Sequence, residues 1–222
     1  MLKSAGSSVA PLLLLLALLG PAQAQTTTPA AVPPVPALGT DPPTVDPANA
    51  LRGPALLKAL REGGSILFMR HAASAGELPA CPGQSGLTDV GVAQATAVGA
   101  AIRALKIPVG PLQASQTCRA FDTATLLGLG PVQVNPQLNQ ARRDSPTDYD
   151  IRFAYLRQVV PPGSNVMLVS HIQGGRIPQE SLMPEFAEVV VYRWPGAGQA
   201  TPIARILPTQ WQELLDASAA AR

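Results

Sequence analysis

Histidine, cysteine and aromatic residues are scarce in this chain: 222 residues contain two histidines, two cysteines and 4% Phe, Trp and Tyr. With no further histidine and no clustered cysteine–carboxylate set, the ligand grouping of a zinc site is missing, and neither a metal nor a cofactor is expected. The absence of an aromatic platform and of a basic stripe argues against nucleic acid as a partner. The net charge of +2 says little by itself, since loss of a leader would remove only Lys3. The leucine-rich run from Val9 to Leu19 is too short to cross a bilayer. It follows Lys3 and precedes Pro21-Ala-Gln-Ala24, an A-x-A-type cleavage site before Gln25. Residues 1–24 therefore read as a secretory signal, which implies a periplasmic or secreted protein with no stable membrane insertion after cleavage.

The two scarce imidazoles share one context. Ser65-Ile-Leu-Phe-Met-Arg-His71 and Asn165-Val-Met-Leu-Val-Ser-His171 are apolar runs that end in polar residues, the pattern of central parallel strands leaving a sheet. Ligands of open α/β sheets bind in the crevice outside such strand ends. A third run, Val109-Gly-Pro-Leu-Gln-Ala-Ser115, leads to Arg119. If the three strands are neighbours, His71, His171, Arg70 and Arg119 converge on one pocket suited to a phosphate. A single histidine after a strand is commonly structural; two such histidines, one fused to an arginine, favour a site.

Four stretches carry a family resemblance. "LFMRHA" contains Arg70-His71-Ala72 in place of Arg-His-Gly; "GLTDVGVAQA", from Gly86, leads into a helix; "ASQTCRAFDTA" contains Ser115 and Arg119; "VMLVSHIQG" contains His171. In order and spacing these resemble the histidine phosphatase superfamily, the phosphoglycerate mutase-like proteins of branch 1. The resemblance implies an α/β fold, a three-layer α/β/α sandwich with a mostly parallel central sheet. It also implies phosphate chemistry on a small phosphorylated substrate, with His71 as nucleophile and His171 as a donor to the phosphoryl oxygens. Ser115 would add a phosphate contact.

The chemistry calls for the same residue types. A neutral imidazole that attacks phosphorus divides one displacement into two easier ones. The charge on the equatorial oxygens asks for cationic donors already in place, and the planar forks of Arg70 and Arg119 fit phosphate oxygens in pairs. Their charges also disfavour the imidazolium form of His71. Many family members carry a carboxylate shortly after the third strand that protonates the leaving oxygen. Here the sequence reads Pro136-Gln-Leu-Asn-Gln-Ala-Arg-Arg-Asp144, with no carboxylate directly after Leu138. Glu77, Asp144 and Asp148 are candidate acids, each equally readable as a solvated loop carboxylate. Without an acid, aryl and acyl phosphates, phosphoanhydrides and phosphoramidates should be better substrates than alkyl esters. Ala72 and Ile172, both in place of glycine, are expected to narrow the room near the histidines. Arg142 and Arg143 form a basic pair that would meet a second anionic group, or else belong to an exposed face.

The threonine-, alanine- and proline-rich segment 25–49 reads as a disordered linker. Residues 50–222 suffice for one domain with a substantial core. Patterning predicts helices over Ala50–Glu62, Asp89–Leu105, Arg119–Leu127, Asp148–Val159 and Thr209–Ala219. It predicts strands at Ser65–Met69, Leu112–Ala114, Val132–Asn135, Asn165–Ser170, Glu188–Trp194 and Ile203–Leu207, the last two forming an antiparallel edge. An exported protein can pair Cys81 with Cys118, a bridge contributing about 3 to 4 kcal/mol by the loop-entropy account. The alternative is two separate thiols, with Cys118 a reactive thiolate beside Arg119. Two functional classes follow: an exported metal-independent phosphatase working through phospho-His71, and an inactive phosphate-binding or sensing domain of the same fold. A mutase is less expected outside the cytoplasm.

Overall fold

Two strands, Ser65–Arg70 (β1) and Asn165–Ser170 (β4), form the centre of the domain. Every residue of β4 is buried, as are the first five of β1, which is the signature of strands covered on both faces. The computed structural model describes residues 45–46, 48–75, 86–139, 158–171, 184–196 and 200–220, all within the unit Val35–Arg222. The expected leader over 1–24 and nearly all of the linker over 25–49 lie outside them, as do Glu77, Cys81, Arg142, Arg143, Asp144, Asp148 and Ile172.

The other strands are Val109–Ala114 (β2), Val132–Val134 (β3), Val189–Arg193 (β5) and Thr201–Ile206 (β6). They complete a six-stranded sheet of order β3-β2-β4-β1-β5-β6. Pairing is parallel from β3 through β2 and β4 to β1 and antiparallel from β1 through β5 to β6. The sheet is thus mostly parallel with an antiparallel edge, and the three motif-bearing strands are neighbours as expected.

Alternation along the strands divides the core in two, because successive side chains leave a strand on opposite faces. Leu67, Met69, Met167, Val169, Leu112 and Val191 face one cluster; Ile66, Phe68, Val166, Leu168, Val190 and Tyr192 face the other. The first is covered by helices Gly53–Glu62 (α1), Asp89–Ala104 (α2), Cys118–Leu127 (α3) and Gln210–Ala220 (α4), through residues such as Leu60, Ile102, Leu127 and Trp211. The second is closed by Leu138, Val160 and Ala200. Leu138 ends a short 3-10 turn, Pro136–Leu138. The helix expected over Asp148–Val159 lies outside the described residues up to 157, and Gln158 and Val159 are not helical. The other helices and the strands begin and end within a few residues of the sequence reading.

At the amino-terminal edge of the sheet, buried Asn165 joins three segments. Its Oδ1 accepts from the Ser65 N–H at 3.1 Å, and its Nδ2 donates to the carbonyls of Leu60 and Pro108, both at 2.8 Å. Gly63 makes the turn into β1 at φ 75°, where a Cβ would come within 2.5 Å of the Ser164 nitrogen. Asn165→Ala strands a buried N–H and two buried carbonyls, each worth about 1 to 3 kcal/mol when unmet. We expect a loss of at least about 3 kcal/mol in urea unfolding with an unchanged m-value; a loss under about 1 kcal/mol would mean that these groups find other partners.

Candidate active site

Parallel register builds the site. Arg70 is paired with Ser170, so the next residue on each strand is a histidine, and the two rings lie edge to face with centroids 5.2 Å apart. Ser115 follows β2, with its N–H on the Val169 carbonyl at 3.0 Å. Arg119 is the second residue of α3, whose amino-terminal end, the positive end of a helix, lies at the same edge.

His71 is 5% exposed. Its Nδ1 lies 2.8 Å from the Ala72 carbonyl oxygen, which can only accept, so Nδ1 carries the proton. Nε2 accepts from Nε of Arg119 at 3.2 Å and therefore carries the lone pair. Burial, with a smaller contribution from the charges of Arg119 and Arg70, pushes the imidazole down to about 4, against an opposing pull from the Ala72 carbonyl. His71 is thus neutral at pH 7, with its unprotonated nitrogen turned toward a guanidinium.

Arg70 is half-buried. Its Nη1 donates to the Pro184 carbonyl at 3.0 Å, and its guanidinium carbon sits 3.7 Å from the ring centroid of Phe186. Its buried Nε has no hydrogen-bond partner among the described residues, a donor left for an incoming oxygen. Burial and then the neighbouring Arg119 lower its pKa, while Glu185 and Glu188 oppose the shift.

His171, 2% exposed, places Nε2 3.0 Å from Ser115 Oγ and 3.3 Å from Thr117 Oγ1. Ser115 Oγ donates to Asn139 Oδ1 at 2.8 Å and accepts from the Thr117 N–H at 3.2 Å. The Gln116 N–H also points at Asn139 Oδ1, at 3.3 Å, which fixes the amide orientation. With the single hydroxyl proton of Ser115 committed to Asn139, His171 Nε2 must be the donor.

The motif residues behind these groups hold the loop that follows His71. Thr88 caps α2 by accepting from Gly91 N–H at 3.2 Å, and its own N–H donates to Ala73 O at 3.0 Å. A Cβ on Gly91 would fall 2.0 Å from that same Ala73 oxygen. Gln94 Oε1 accepts from Ala73 N–H and Thr123 Oγ1 from Ala72 N–H, both at 3.0 Å. Since the Ala72 carbonyl sets the tautomer of His71, Thr123 and Gln94 act on that imidazole through the backbone. The expected narrowing by Ala72 is not found: its side chain is fully buried in the core on the helix side of the sheet. Cys118, the first residue of α3, is also buried. Sequence reading missed Thr117, Asn139 and Phe186. Asn139 had a signal, because it stands directly after Leu138 where a carboxylate was sought; Phe186, far along the chain on a turn, had none.

Residues 66–142, which carry His71, Ser115 and Arg119, match the family model of the histidine phosphatase superfamily, branch 1. The matched residues run from β1 through α2, β2 and α3 to just past Leu138. Among solved structures, the chain is similar to the protein histidine phosphatase SixA complexed with tungstate, at 17% identity and TM-score 0.49, covering 66% of this chain and 98% of that one. It is similar to a SixA from Nakamurella multipartitia at 22% identity and TM-score 0.49, covering 65% and 95%. A phosphoserine phosphatase variant from Entamoeba histolytica, in complex with phosphoserine, aligns at 14% identity and TM-score 0.42, covering 64% and 95%. No curated protein matches the chain.

The protonation state of His71 has a consequence for stability. The folded chain accepts this proton only near pH 4, whereas an unfolded histidine accepts it near 6.5. The contribution of the neutral imidazole is complete above pH 6.5, falls as the unfolded chain is protonated through the window from 6.5 to 4, and levels below it. The change amounts to about 3 kcal/mol. Unfolding free energies of the wild type and His71→Gln, compared between pH 7 and pH 4, should converge or cross by that amount; parallel curves would mean that His71 is protonated in the fold.

Proposed function

We propose that this chain is an exported phosphatase that hydrolyses phosphate esters or other activated phosphoryl compounds through a phosphohistidine on His71, without a metal. The observation that carries the reading is the buried, neutral His71 with its lone pair on Nε2, bonded to Arg119 and with its pKa lowered further by the charge of Arg70. Nε2 attacks phosphorus, a P–N bond forms, and the bond to the leaving group breaks with its electron pair. Water then attacks phosphorus, the P–N bond breaks, and inorganic phosphate leaves with the imidazole restored. The two guanidiniums stabilise the equatorial oxygens in both steps, and the Nε2–H of His171 turns from Ser115 to a phosphoryl oxygen when substrate is present.

Asn139 occupies the place directly after Leu138 and carries no acidic proton. This favours substrates whose leaving group departs unprotonated, and Glu77, Asp144 and Asp148 remain the candidate acids. It also favours a second reading, an inactive phosphate-binding or sensing domain. Arg142 and Arg143 are proposed to meet further anionic groups of a larger substrate. The leader-like segment 1–24 supports a periplasmic or secreted location, and a Cys81–Cys118 bridge agrees with that compartment. The finding that none of the described cysteines is a free thiol is consistent with such a bridge.

The mature protein should hydrolyse p-nitrophenyl phosphate in EDTA, His71→Ala should lose at least about 10³-fold of that rate, and acid quenching should trap phosphate on His71. Phosphate binding without turnover or a trapped intermediate would leave the binding-domain reading. A second prediction concerns the leaving group. Asn139→Asp keeps both acceptor contacts and adds a carboxyl, so below about pH 5 turnover of glycerol phosphate relative to p-nitrophenyl phosphate should rise at least about tenfold. An unchanged ratio would show that position 139 does not face the leaving oxygen.

A further inference from the structure

We propose that the ion pair between buried Glu188 and partly exposed Arg205 is a positioning device for Arg70, acting through the turn 184–188 that the pair closes. The inference rests on the phosphatase reading only for its activity readout.

Arg70 ends β1 on a long, rotatable side chain, and two groups fix its head: the Pro184 carbonyl and the Phe186 ring. Both belong to one turn. That turn is tied to the nucleophile strand by its backbone, the Arg70 N–H donating to Glu188 O at 3.1 Å and the Ala187 N–H to His71 O at 3.2 Å. Within it Ala187 adopts φ 60°, a left-handed conformation that a residue with a Cβ takes only when its surroundings impose it. The Ala187 N–H to His71 O bond holds it from one side, and the Glu188 side chain closes the turn from the other. Its Oε2 accepts from the Glu185 N–H at 2.7 Å, while the Glu188 N–H donates back to Glu185 O at 3.1 Å.

The Glu188 side chain is 1% exposed, and Arg205 of β6 binds both of its oxygens, Nε to Oε1 and Nη2 to Oε2 at 2.9 Å. A buried ion pair is poor value as a stabiliser, because desolvation consumes most of the attraction and apolar residues of the same size serve as well. Its use here is geometric. The far side of the turn borders a cavity of about 490 Å³ lined by Glu185, Glu188, Arg205 and Leu207, so packing does not brace the turn there. The carboxylate does, and the placement of Pro184 and Phe186 around Arg70 follows from it.

The test is a double-mutant cycle. Glu188→Gln and Arg205→Leu should each lower kcat/KM for p-nitrophenyl phosphate on the order of 10- to 100-fold, the scale of a misplaced catalytic group. Arg205→Lys should recover part of the loss. In an Arg70→Ala background the same changes should cost less than about twofold, because the group they position is gone. A loss of equal size with and without Arg70, or no loss in folded variants, overturns the proposal. Should Glu188→Gln fail to fold by circular dichroism, Arg205→Lys at its partly exposed position carries the same comparison. A wild type that turns over nothing would sink the phosphatase reading alone. The cycle is then read from inorganic phosphate binding by calorimetry, where weakening that depends on Arg70 supports the proposal and weakening independent of it overturns it.

Discussion

The parallel pairing of β1 with β4 is the constraint on which the site depends. Each strand buries side chains on both faces, so a slip of one residue would send Leu67 and Met69 into the cluster that holds Ile66 and Phe68. That penalty locks Arg70 opposite Ser170, and the next residue on either side is a histidine. The short distance between the imidazoles is therefore inherited from hydrophobic burial farther down the strands. The β2–β4 pairing extends the same edge to Ser115, and the short connection into α3 brings Arg119 over the pair.

Burial at this edge acts on each charged group in a different direction of usefulness. For His71 it removes the proton and leaves a lone pair on Nε2. For Arg70 it also disfavours the charge, but a guanidinium begins so far above neutrality that it stays charged. A pocket that is dry enough to keep an imidazole neutral can thus hold cations beside it, provided the cations are arginines. The two are held by different means. Arg119 is directed by its hydrogen bond to His71, whereas Arg70 is gripped by a carbonyl and an aromatic face on a distant turn. His71 and Arg119 meet where the parallel strands end and α3 begins; the head of Arg70, at the end of β1, is held from the turn that leads into the antiparallel edge, where Glu188 and Arg205 lie.

Much of this was legible in the sequence because it is written in local periodicity. The apolar runs ending at His71 and His171, the β2 run, and the antiparallel edge over residues 189–206 all announce themselves through burial patterns and neighbouring turn residues. The motif residues around Ser115 and Arg119 could be read in the same way. Thr88, Gly91 and Gln94 belong to a quoted motif, but their common task, holding Ala73, is visible only when α2 is seen against the loop after His71. Phe186 and Pro184 reach Arg70 from more than a hundred positions away, and no spacing encodes such a contact. The expectation for Ala72 failed for the opposite reason: a change from glycine suggests crowding, but only the fold decides whether the added methyl points at the ligand or at the core.

The proton inventory bears on the chemistry as much as the charges do. Around Ser115, the hydroxyl proton goes to its nearest acceptor, Asn139 Oδ1, which also takes the Gln116 N–H. A carboxylate in that position would make the same contacts but add a negative charge next to a site arranged to receive an anion. An amide keeps the scaffold and avoids that repulsion. On the proposed phosphatase reading, Arg70, Arg119 and the α3 terminus would stabilise negative charge on a phosphoryl group, and Asn139 would offer the leaving group no proton. On that reading, such a pocket would discriminate by leaving-group stability more than by shape and would take aryl and acyl phosphates, phosphoanhydrides and phosphoramidates ahead of alkyl esters.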